Sequence, residues 1–119
     1  MTPVLIAILI GMLSGAVAAL CGVGGGIIMV PAFVYFLGVP QKTAVATSLA
    51  AIVLTSVVAT SKNHGNGFVD WKIAVLSGLA AGVVAWFAAD WLKVLSNTSL
   101  TRIFAIIMIL MGIRMLFQK

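Results

Sequence analysis

The sequence predicts an all-α integral membrane protein with about four transmembrane segments and a glycine-broken, re-entrant half-helix after the first. Three observations carry this. Of 119 residues, 63% are hydrophobic and only 8% charged, too little charge to cover the surface of a soluble domain. The 7 basic and 2 acidic side chains are also unevenly placed, leaving residues 1–41, 43–61, 73–89 and 103–113 uncharged. A charge at mid-bilayer costs about 2.5–3.5 kcal/mol even on the translocon insertion scale, so these gaps read as spans. Finally, Gly22-Val23-Gly24-Gly25-Gly26 interrupts the apolar N-terminal region. The length leaves room for a single membrane domain, residues 1–119.

Thr2-Pro3 opens the first segment, with Thr2 as N-cap and Pro3 where its missing amide has no partner to lose. Residues 4–21 are long enough to cross about 30 Å of hydrocarbon. The segment has no basic leader and runs past the usual signal-peptide length, so it is read as retained. Residues 27–37 are too short to span, and Pro31 fits them if the helix begins near Ile27 or Ile28. After Gly38-Val39-Pro40, residues 43–61 form a full span closed by a polar loop over residues 62–67. Asp70 caps a helix over residues 71–92, residues 96–99 form a turn, and residues 100–117 are the last span. Trp71, Trp91 and Phe117 fall near the interfaces, as an aromatic belt would place them.

Hydropathy leaves open whether residues 3–37 form a re-entrant hairpin, two crossings or one broken crossing. An odd number of crossings is favoured. Lys42, Lys93 and Arg102 then fall on one side and Lys62, Lys72, Arg114 and Lys119 on the other. So weak a positive-inside bias fits either insertion in both orientations or one topology with Lys62 and Lys72 cytoplasmic.

The net charge of +5 does not point to nucleic acid, because the basic residues sit at segment ends, within reach of lipid headgroups. One Cys and one His leave no disulfide, no Cys-only metal site and no HExxH motif, so no cofactor or metal is expected. No nucleophile–base pair suggests an enzyme. The glycines do not make a dinucleotide fingerprint, because position 27 is Ile27.

The glycine run instead suits an anion. Unwound backbone at membrane depth survives only against protein or a water-filled cavity, and a half-helix beginning at Ile27 adds about half a positive charge. Discontinuous helices in transporters use this arrangement. A flexible turn between packed helices is the bland alternative. On the next helix Thr43, Thr47, Ser48, Ala51 and Thr55 share an arc of about 140°, which either donates to an oxyanion or allows close helix packing. Gly11-x-x-x-Gly15 and Gly78-x-x-x-Gly82 read as close-crossing or dimerisation ridges. Cys21 reads as a packing residue and His64 as a loop residue, though a proton-sensing His64 is conceivable. Asp90 has Lys93 or Arg102 as prospective partners. With neither Asp70 nor Asp90 deep in a span, a cation substrate is disfavoured.

Residues 22–31, GVGGGIIMVP, together with Ala46-Thr47-Ser48-Leu49 and His64, Gly67 and Val69-Asp70-Trp71-Lys72, resemble the sulfite exporter TauE/SafE family, also called the 4-toluene sulfonate uptake permease family. The resemblance covers nearly the whole chain in order. It implies transport of small sulfur oxyanions or organosulfonates in the cell membrane, with Gly22, Gly24, Gly25, Gly26, Thr43, Thr47 and Ser48 around the substrate. Typical members are about twice as long and carry the glycine signature twice, whereas this chain has one copy. A homodimer of half-transporters working by alternating access is therefore expected, and it can be antiparallel or parallel. A non-transporting membrane subunit that pairs with a partner half is the alternative.

Overall fold

A computed structural model describes residues 2–118, and among them the chain forms five α-helices. Helix α1, Pro3–Cys21, starts as expected: the Thr2 hydroxyl accepts the Leu5 amide at 3.4 Å. It ends at Gly22, whose amide returns to the Ala18 carbonyl at 2.9 Å. Helix α2, Gly26–Leu37, has 12 residues, about 18 Å at the helical rise. Because it begins at Gly26, Pro31 lies beyond the first turn, and the Ile27 carbonyl receives no amide from it.

Helix α3, Gln41–Gly65, extends beyond the expected span at both ends. Lys62, Asn63 and His64, read as loop residues, form its last turn instead. The turn that ends it lies further on, at left-handed Gly67 (φ +75°), where the Gly67 and Phe68 amides return to the carbonyls of His64 and Asn63 at 3.0 and 3.1 Å. Lys62 near a helix C-terminus also suits its partial negative charge. Helix α4, Trp71–Val94, is capped by Asp70, which accepts the Ile73 amide at 3.1 Å. Helix α5, Asn97–Phe117, starts earlier than expected because Ser96 caps it, accepting the Ser99 amide at 3.1 Å.

The core is small. Met29, Val30 and Phe33 of α2 pack between Ile10 of α1 and Ala44 of α3, with Phe104 of α5 against the same cluster. Helix α4 stands apart, exposed from Trp71 to Trp91. It is tied at its ends. Trp71 donates from its indole to His64 Nδ1 at 3.0 Å, and Lys42 Nζ donates to the Lys93 carbonyl at 3.2 Å. On the helical wheel Ala74, Gly78, Ala81, Ala85 and Ala88 share one face, and Leu76, Leu79, Val83 and Trp86 the opposite one.

Four helices, α1, α3, α4 and α5, are long and apolar enough to cross a membrane. Helix α1 has crossing length by itself, and α2 packs against it without reaching that length, so the odd number of crossings stays an expectation. The Lys42–Lys93 contact joins the start of α3 to the end of α4, and the His64–Trp71 contact joins the opposite ends. The expected sidedness of Lys42 and Lys93 against Lys62 and Lys72 follows from these contacts, while Lys119 lies outside the described residues.

Candidate functional site

The connection between α1 and α2 is built from left-handed backbone. Gly22, Gly24 and Gly25 have φ of +70°, +73° and +77°, a region that side chains with a Cβ enter only at a cost. The Gly25 carbonyl accepts the amides of Ile28 and Met29 at 3.1 and 2.9 Å, which starts α2. Among the described residues, the amides of Val23, Gly24, Gly25 and Ile27 donate to no backbone carbonyl. These donors and the positive end of α2 lie in one short stretch.

The glycines divide the work. Gly25 is buried, and a Cβ there would meet the Ser14 carbonyl oxygen at 3.0 Å. Ser14 is itself fully buried, its hydroxyl turned to the Gly11 carbonyl at 3.2 Å. Gly24 and Gly26 approach Ile52 of α3, with prospective Cβ distances of 3.2 and 3.3 Å. Gly22 and Gly24 line a pocket of about 170 Å³.

The opposite wall of that pocket is the C-terminal half of α3: Thr55, Ser56, Thr60 and Asn63. It adjoins an open groove of about 860 Å³ between α1 and α3, at which Lys62 stands. Of the residues expected around a substrate, Gly22 and Gly24 are at the pocket and Gly25 and Gly26 brace the turn beside it. Thr43 and Thr47 are exposed nearer the start of α3, outside this pocket. Ser48 is buried and donates to the Val45 carbonyl at 2.9 Å. Thr55, from the expected hydroxyl arc, reaches the pocket while donating to the Ala51 carbonyl at 3.2 Å.

Ser56, Thr60 and Asn63 were not expected. At about 100° per residue Thr55, Ser56, Ala59, Thr60 and Asn63 share an arc of about 140°, a signal available only once the helix is known to continue past Ser61. Cys21 is an exposed free thiol next to the turn. Asp90 pairs with Lys93 at 3.5 Å, both side chains largely exposed, a geometry that contributes little. Among the described residues no group of His, Cys, Asp and Glu could hold a metal.

Comparisons with known proteins agree with this architecture. The chain is similar to a probable membrane transporter protein of Haemophilus influenzae, 29% identical over 98% of this chain and 47% of that protein. The probable membrane transporter protein YunE of Bacillus subtilis is 33% identical over 95% of the chain and 40% of its own length. One from Xylella fastidiosa is 28% identical over 92% of the chain and 43% of its length. The chain thus spans about half the length of the curated relatives it matches. No solved structure matches significantly. The four long apolar helices and these relatives make it a multi-pass membrane protein. The model of one family, described as sulfite exporter TauE/SafE, matches residues 4–119, and the chain belongs to that family.

Proposed function

We propose that the protein moves a small anion across the membrane, sulfite or an organosulfonate-like species, as a dimer of half-transporters working by alternating access. The observation that carries this reading is the left-handed glycine turn, whose uncommitted amides and half-helix N-terminus lie beside a polar pocket between two spans. Such a site holds an anion without a cationic side chain, so binding stays weak enough for release. Gly22 and Gly24 offer backbone to the anion, and Gly25 and Gly26 keep the turn seated on Ser14 and Ile52. Thr43, Thr47 and Ser48 are assigned to the other end of the path, where α3 begins. The relatives are about twice as long, which supports a second half supplied by another copy.

Sulfite flux into proteoliposomes tests this. Gly24→Leu or Thr47→Val is expected to reduce flux, and undiminished transport by both would remove these residues from the path. The unpacked small-residue face of α4 also favours a pairing subunit without transport of its own. Purified protein that moves no anion alone, yet restores flux to a second protein, would establish that alternative.

A further inference from the structure

We propose that the side-chain contacts to the anion come from Thr60 and Asn63 in the last turns of α3, with Lys62 drawing anions to the groove. This rests on the small-anion reading above.

The argument starts from which polar side chains on α3 are already committed. Ser48, Thr55 and Ser61 donate to the carbonyls of Val45, Ala51 and Val57 at 2.9, 3.2 and 2.8 Å, the usual way a hydroxyl is satisfied in a membrane helix. Thr60 and Asn63 differ. Both are half-buried, both line the pocket, and among the described residues neither side chain makes a hydrogen bond. Each therefore keeps its hydrogen-bonding capacity for whatever fills the pocket, water or an anion. The remaining lining includes Ala18, Ala19 and Ala59, which leave the space open, and Gly22 and Gly24 from the turn.

The chemistry of this set is selective. No carboxylate lines the pocket, so nothing there attracts a cation. Thr60 donates one hydroxyl, and Asn63 carries both a donor and an acceptor. A singly protonated oxyanion, with oxygens that accept and one O–H that donates, meets both. The volume of about 170 Å³ accommodates a small oxyanion, and the pocket opens into the wider groove of about 860 Å³. Lys62 lines the wider groove, which shares Ala19, Thr55, Ala59 and Asn63 with the pocket, so its charge lies on the approach and not in the site.

Proteoliposome uptake of sulfite tests the assignment, and sulfite-induced thermal stabilisation of the detergent-solubilised protein gives a second readout. Thr60→Val and Asn63→Asp are expected to cut uptake about tenfold or more and to abolish the stabilisation, the range for losing a hydrogen bond to a charged group. Thr60→Ser is expected to retain both. Their melting temperatures without sulfite should match the wild type, which separates a contact from a folding defect. Lys62→Gln should slow uptake at low ionic strength and converge with the wild type at high salt. Wild-type transport matched by Thr60→Val and Asn63→Asp would overturn the assignment and leave the transport reading standing. A wild type that neither binds nor moves sulfite would overturn both readings together.

Discussion

At Gly25 two requirements meet on one residue: a left-handed backbone, and a neighbouring carbonyl with no room for a methyl group. Gly22 has the first without the second, since nothing lies within 4 Å of its prospective Cβ. Gly25→Ala is therefore expected to destabilise the protein by roughly 1–3 kcal/mol, and Gly22→Ala by about 1–2 kcal/mol, in denaturant titrations in detergent. The Trp71–His64 bond offers a separate check. Trp71→Phe keeps an aromatic ring against the imidazole and removes the donor, so a loss of about 0.5–1.5 kcal/mol is expected. At this scale the sequence told part of the story. Four glycines in five residues could mean only an irregular turn, but nothing in them showed that Gly25 serves packing while Gly22 and Gly24 face a cavity. Asn63 was hidden for another reason, because the polar run after Ser61 reads as a loop and is in fact helix.

Among the elements, capping was legible and helix ends were less so. Thr2 and Asp70 stand where short polar side chains precede apolar runs, and both accept the third amide onward. Replacing Asp70 by Ala should cost about 0.5–2 kcal/mol, measurable as a lower unfolding midpoint. The end of α3 depended on the left-handed turn at Gly67, which the residues at 62–65 alone do not dictate. Helix α4 carries the clearest separation of small and large faces, yet among the described residues no other helix packs along it. Gly78 and Gly82 have open space around their prospective Cβ atoms. A Gly78→Leu, Gly82→Leu pair is thus expected to leave the melting of the single chain unchanged and to shift the proposed dimer toward monomer, read by cross-linking yield in liposomes.

For the whole molecule, hydropathy gave the spans and not their neighbours. Lipid and protein are equally apolar surroundings for a helix, so the isolation of α4 leaves no trace in composition. The break at residues 22–26 likewise shows where the chain bends and not how far α1 reaches before it. The basic residues gather in two nearly balanced groups at opposite helix ends, which keeps both orientations open for the proposed dimer. With Cys21 replaced, a single cysteine at Asn66 should react with impermeant reagent from both faces of the membrane if the pair is antiparallel. Labelling from one face only would make the dimer parallel.

The short α2 has one further consequence, for the lipid around it. Tyr35, Phe36 and Pro31 face outward on a helix of about 18 Å, while the uncharged stretch of α3, residues 43–61, is about 28 Å long and suits the roughly 30 Å of hydrocarbon. One bilayer thickness does not suit both. Thinning beside α2 is expected, at fractions of a kcal/mol for each ångström of mismatch. Transport should accordingly depend on acyl-chain length, falling as the lipid thickens around the half-helix.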